Sequence, residues 1–276
     1  MVNSLSSGWK CLCAVMCIGI CGTGHVASSD STVISHVWKN GVHIMEENSS
    51  QGVDAACSRD SVSGMERFER ENSKICFIAG PMRAGKSKML IDFIFNGGGE
   101  GKSNILAFTS SLVVTDGAKP CLHTRADGRT VHANIFDNTT DFIDAFQLLK
   151  KCVASTQNDV SDFSLYIDEG QFLTEDQLKQ LARVSMFAEV KEVNISGLIY
   201  NYMGEMFLSS KMLLDRYAAF VLRENANCEL CGAKSAATKN IRLDGNGRRM
   251  LRGDEISIGN DQYKSVCDKC FDDGLR

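Results

Sequence analysis

From residue 74 onward, short runs of β-branched and aromatic residues alternate with stretches whose apolar positions recur at helical spacing. ICFIAG (75–80) reads as a buried strand ending in glycine, and KSKMLIDFIF (86–95) as a helix. After a glycine cluster at 96–101 come a strand, NILAFT (104–109), and a helical pattern over 140–152. FSLYIDEG (163–170) reads as a second buried strand. The helix over 174–188 opens with Thr174 and, three residues on, Gln177, the pair of a capping box. VKEVNISGL (190–198) predicts a strand, 209–215 a helix and YAAFVLRE (217–224) a last strand. Strands alternating with helices predict an α/β fold: a parallel sheet with helices on both faces.

Residues 1–72 lack this rhythm. CLCAVMCIGIC (11–21) is apolar, follows a lone Lys10, and no acidic residue precedes Asp30. A charged start, a short apolar run and the small residues Val26-Ala27-Ser28 resemble a targeting peptide, with a buried helix or a tail as the alternative. From 29 to 72 the chain is rich in Ser, Asn and Glu without clear period, which predicts a largely disordered linker; 64–72 is a candidate solvated helix.

Composition narrows the classes. A chain of 276 residues with two prolines, 43% hydrophobic and 23% charged, has the proportions of a folded globular protein. A net charge of -4 gives no global attraction to nucleic acid or anionic membrane, and no apolar run reaches the about 20 residues of a bilayer-spanning helix.

Between the first strand and first helix lies GPMRAGKS (80–87), a match to G-x-x-x-x-G-K-[ST] in the required strand–loop–helix context. Glycines let backbone N–H groups curl around phosphates, and the helix N-terminus adds positive partial charge. In such a loop Lys86 reaches the β- and γ-phosphates of a nucleoside triphosphate and the Ser87 hydroxyl ligates Mg²⁺. Asp168, at the end of a hydrophobic strand, stands where these proteins place the carboxylate that holds Mg²⁺, and Glu169 beside it is a candidate general base. Water in an ATPase or a substrate hydroxyl in a small-molecule kinase both fit this pair. The short spacing from Lys86 to Asp168, and the lack of a basic aromatic stretch for nucleic acid, favour the kinase.

The 12 cysteines include two C-x2-C pairs, Cys228/Cys231 and Cys267/Cys270. Two such pairs make a tetrahedral structural Zn²⁺ site, and disulfides are disfavoured beside ATP chemistry in reducing compartments. The chain thus divides into an extension (1–72), a P-loop NTPase domain of RecA-like type (73–224) and a small zinc-binding lasso domain (225–276).

Taken together, these residues resemble the type II thymidine kinases. GPMRAGKS resembles that family's GPMFSGKS and DEGQF (168–172) its DEGQFF. Gly197-Leu198 with Phe207 resembles its GLD…PF segment, and GNDQYKSVCDKC (259–270) its lasso. The resemblance implies ATP and Mg²⁺ at Gly80, Pro81, Met82, Arg83, Ala84, Gly85, Lys86, Ser87, Asp168 and Gln171. It implies Glu169 as base for the 5′-hydroxyl of deoxythymidine, giving dTMP and ADP. It implies a nucleoside pocket of Met82, Phe172, Leu198, Tyr202 and Phe207, closed by Thr238, Ile258 and Tyr263. A homotetramer and feedback by dTTP follow from the same resemblance; the cytosol is the simplest address if residues 1–72 are retained, and an organelle if they are a targeting peptide. This sequence departs at Arg83, where the family has an aromatic residue, at Ile199, where it has Asp, at His123 in KPCLHTR and at Asn260. A P-loop ATPase whose zinc module binds a partner or nucleic acid, or a kinase-like regulator that binds ATP without turnover, are the readings to be separated from a kinase.

Overall fold

A computed structural model describes residues 73–96, 104–114, 118–125, 127–154, 162–218, 226–255 and 262–274, and the backbone of four strands at 33–39, 42–48, 67–69 and 220–223. In chain order the elements are β1 (Val33–Lys39), β2 (Val42–Asn48), β3 (Arg67–Glu69), β4 (Ile75–Ala79), α1 (Lys86–Asn96), β5 (Asn104–Ser110), β6 (Cys121–His123), β7 (Thr130–His132) and β8 (Asn134–Phe136). Then follow α2 (Phe142–Ala154), β9 (Phe163–Ile167), α3 (Glu175–Ser185), β10 (Val190–Gly197), α4 (Leu208–Met212) and β11 (Phe220–Arg223). The chain ends in β12 (Lys239–Leu243), β13 (Arg249–Met250), β14 (Tyr263–Val266) and α5 (Asp268–Asp273).

The main sheet runs β1-β2-β5-β9-β10-β4-β11-β3, with β8 also on β5. The pairs β5–β9, β9–β10, β10–β4, β4–β11 and β5–β8 are parallel, as the alternation of strands and helices predicts. Period-2 alternation sorts the buried strand residues into two layers. Ile75, Phe77 and Ala79 face a core filled from α2 and α3 by Phe142, Phe146, Leu149, Leu178 and Leu181. Cys76 and Ile78 face the opposite core, filled by Leu90, Ile91 and Ile94 of α1 and by Leu122 and Val131 of the β6–β7 ribbon. Thr174 caps α3 and exchanges both capping-box hydrogen bonds with Gln177, as the sequence predicts.

The extension is a correction. Where the sequence predicts a linker, Val33–Lys39 and Val42–Asn48 pair antiparallel, and β2 continues the sheet by pairing Met45 with Ile105 and Glu46 with Asn104. The register leaves Asn40-Gly41 between the two strands, a dipeptide that favours two-residue hairpin turns and that the polar composition around it conceals. Arg67–Glu69, inside the predicted solvated helix, instead pairs antiparallel with β11 at the far edge. Three residues are too few to show a strand period. The targeting-peptide segment lies outside the described residues.

The helix predicted over 209–215 is α4 followed by a π-turn at Leu213–Tyr217, which delays the last strand to Phe220. After it, β13-β12-β14 form a separate small sheet. Its own core is Cys228, Ile241, Val266 and Phe271. Among the described residues no helix is long and apolar enough to cross a membrane.

Candidate active site

Parallel strands direct their carboxyl ends to one edge of the sheet, and ligands of open α/β sheets bind there. The loop 80–85 leaves β4 at that edge, with Gly85 at φ 95, and α1 begins at Lys86. The first turn of α1 contains no acidic residue, so its N-terminal N–H groups and Lys86 leave a positive site open to an anion. Lys86 Nζ donates to the Pro81 carbonyl at 2.7 Å, curling the side chain over its own loop.

Asp168 follows β9 and is buried, 7% exposed. Its Oδ1 accepts the hydroxyl of Ser196 on neighbouring β10 and the Glu169 N–H, the latter at 3.0 Å. Glu169 lies in the left-handed region at φ 60 and ψ 40, a conformation that non-glycine residues avoid. Gly170 behind it cannot take a side chain: a Cβ there would lie 2.4 Å from Ile195 Cγ2. Gln171 Nε2 donates to Glu169 Oε2 at 2.5 Å while its Oε1 accepts the Leu198 N–H at 3.0 Å, so one amide braces the carboxylate against the end of β10. Burial first, and then the charge of Asp168, push the Glu169 carboxyl up to about 7, against Lys86, the Gln171 amide and Arg125. A carboxyl so tuned exchanges protons near neutral pH.

Lys86, Ser87 and Glu169 line one cleft of about 450 Å³ with Met82, Arg83, Gly85, Lys88, His123, Thr124, Arg125 and Leu198. Of the loop, Gly80, Pro81 and Ala84 are buried beneath it. Asp168 and Gln171 are buried, hydrogen-bonded to Glu169, and not among the residues that line the cleft. Of the expected nucleoside residues, Met82 and Leu198 line the cleft. Phe172 and Phe207 pack edge to face, 6.5 Å between ring centres. Tyr202 and Tyr263 do the same at 6.4 Å, with Tyr202 buried at 2% exposure. Thr238 donates to Asp268 Oδ1 at 2.9 Å in the small domain. Ile258 lies outside the described residues. Lys88 and Thr124 line the cleft without having been singled out from sequence. Thr124 arrives on the β6–β7 ribbon, whose Asp127-Gly128 turn dipeptide was the available signal.

Cys228, Cys231, Cys267 and Cys270 bring their sulfurs within 4.8 Å of one another. A tetrahedral Zn²⁺ with bonds of about 2.3 Å separates its sulfurs by about 3.8 Å. Cys231 and Cys267 are 3.8 Å apart, so the set fits one zinc ion. At Cys228 burial pushes the thiol up, but backbone N–H groups of Cys231, Cys267 and Leu230 prevail and bring it to about 6. Hydrogen bonding to Cys267 first, then burial, pushes Cys270 up to about 12.

The fold and this cleft define an α/β protein with a glycine loop and a lysine at the carboxyl edge of its sheet, a carboxyl group in the same cleft, and an attached four-thiol module. The family model described as thymidine kinase matches residues 73–271. The thymidine kinase of Novosphingobium aromaticivorans is 33% identical over 205 residues, covering 74% of this chain and 98% of that protein. That of Aliivibrio fischeri is 32% identical over 213 residues, 74% and 98%. That of Rhizobium meliloti is 40% identical over 113 residues, 41% and 55%. The chain belongs to the thymidine kinase family of ATP-dependent nucleoside kinases.

Proposed function

We propose that this protein transfers the γ-phosphoryl group of ATP to the 5′-hydroxyl of deoxythymidine, releasing dTMP and ADP. The observation that carries this reading is the Glu169 carboxyl, tuned to about 7 and facing the same cleft as Lys86 and the glycine loop. Loop N–H groups and Lys86 hold the phosphates. Glu169, held by Gln171, accepts the proton of the 5′-hydroxyl as that oxygen bonds to the γ-phosphorus and the bond to the β–γ bridging oxygen breaks. Ser87 and Asp168 would hold Mg²⁺, which when bound draws off phosphate charge. Arg125 faces the same phosphates and opposes their charge. Met82 and Leu198 supply an apolar wall for the base. Such a wall discriminates weakly between isosteres, so base selection falls to hydrogen bonds from backbone or polar groups.

Purified protein with Mg·ATP and radiolabelled deoxythymidine tests the reading. Labelled dTMP that Glu169→Gln reduces by about 10² to 10⁴ supports it. ATP hydrolysis that ignores deoxythymidine favours the ATPase, and nucleotide binding without either product favours the regulator.

A further inference from the structure

The glycine loop is also held by the four-thiol module. The Met82 N–H donates to Asn240 Oδ1 at 2.8 Å and its carbonyl accepts the Ser265 hydroxyl at 2.6 Å, so one residue of the loop is gripped through both backbone polar groups. The next residue, Arg83, sits in the left-handed region at φ 60 and directs Nη1 to both oxygens of Glu229, at 2.7 and 2.9 Å, and to the Tyr263 carbonyl at 3.1 Å. Glu229 accepts the Ser265 N–H at 2.6 Å and donates its own N–H to the Ser265 carbonyl at 2.9 Å. Glu229 lies between Cys228 and Cys231, and Ser265 precedes Cys267 by two residues, so two of the three grip points, Asn240 being the third, adjoin a thiol pair in sequence.

We propose that Arg83 and Glu229 form a clasp through which the thiol module sets the shape of the phosphate loop. Arg83 is then a positioning residue, not a phosphate ligand. The inference rests on the reading of residues 80–87 as the ATP site. A left-handed backbone at a non-glycine residue persists only where its surroundings hold it. Here the surroundings are the bidentate pair with Glu229 and the peptide grip at Met82. A module that has lost its metal, and with it the spacing of Glu229 and Ser265, would release the loop.

Arg83 also lines the cleft, and the two roles predict opposite signs. If Arg83 serves as a clasp, Glu229→Gln frees the loop and weakens nucleotide binding. If Arg83 is a phosphate ligand held away by Glu229, the same change liberates a cation and tightens binding.

The test titrates fluorescent MANT-ADP into the full-length protein and its variants, with zinc content and unfolding temperature measured on each. Half-exposed ion pairs couple modestly, so Glu229→Gln and Arg83→Met should each weaken binding about fivefold, with the double variant no weaker than either single one. The exchange of both charges, Arg83→Glu with Glu229→Arg, should recover part of the loss. Unchanged or tighter binding by Glu229→Gln at full zinc content overturns the clasp. Should Glu229→Gln lose zinc, Ser265→Ala leaves every charge in place: weaker binding supports the clasp and unchanged binding overturns it. Wild-type protein that binds no MANT-ADP removes both the clasp and the ATP-site reading, whereas normal wild-type binding with indifferent variants removes the clasp alone.

Discussion

Replacing Glu169 by Gln should remove the proposed base and, by the same physics, stabilise the fold. Burial and the neighbouring Asp168 carboxylate push the Glu169 carboxyl from an ordinary 4.5 to about 7. Between those values the native protein keeps a proton that the unfolded chain has released. Stability therefore falls as pH rises through that window and levels off above about 7. The displacement corresponds to about 3 kcal/mol at 1.36 kcal/mol per pH unit. Contact of the carboxylate with cleft solvent reduces the figure to about 2 kcal/mol. A neutral amide avoids this cost and can still accept the Gln171 N–H. In protein free of nucleotide and Mg²⁺, calorimetry should show Glu169→Gln unfolding about 4–8 °C higher than wild type near pH 8. Most of that gain should vanish near pH 5, where the wild-type carboxyl is protonated in the folded state. An unfolding temperature no higher than wild type near pH 8, or a gain of the same size at both pH values, would refute the burial argument even if the variant were inactive.

Gly170→Ala should destabilise by about 1–3 kcal/mol, because the new methyl would lie 2.4 Å from Ile195 Cγ2; chemical denaturation measures this, and a neutral result would mean that β10 yields freely. Cys267→Ser should abolish zinc binding, read by metal analysis of the purified protein; one zinc per chain in that variant would contradict the four-thiol site. Tyr202→Phe should be neutral or stabilising by up to about 1 kcal/mol, since the Tyr202 hydroxyl is buried without a partner among the described residues; a loss of stability would reveal one.

The central strands were legible because Ile75–Ala79, Asn104–Ser110 and Phe163–Ile167 are runs of buried residues bounded by turn chemistry; Ile75–Ala79 and Val190–Gly197 follow their sequence signals to within a residue, while Phe163–Ile167 stops three residues short of its signal. The loop 80–87 and the Asp168-Glu169 pair were legible for a different reason: phosphate chemistry restricts the residue types and their spacing. What stayed hidden depends on distant partners. The three-residue strands β6, β7 and β8 are too short to show alternation and exist by pairing with each other or with β5. The grip of Asn240 on Met82 joins residues 158 positions apart, and no local pattern announces it. Gln171 could be flagged from its motif, but its action as a brace between Glu169 and Leu198 required the left-handed turn at Glu169 to be seen. Tyr202 reads as a pocket aromatic, while its packing against Tyr263 and Arg242 sets it against strands β14 and β12 of the small sheet.

Strand β5 divides its outer side between two partners, β2 along Asn104 and Ile105 and β8 along Phe108, Thr109 and Ser110. The family match begins at residue 73, after the hairpin that supplies β2. Cutting the protein back to that point would leave the first rungs of β5 with bare amides and carbonyls beside a buried apolar layer, an invitation to any passing backbone. On this argument strands β1 and β2 act as a plug, and shortened versions that begin at residue 73 are the ones that should clump.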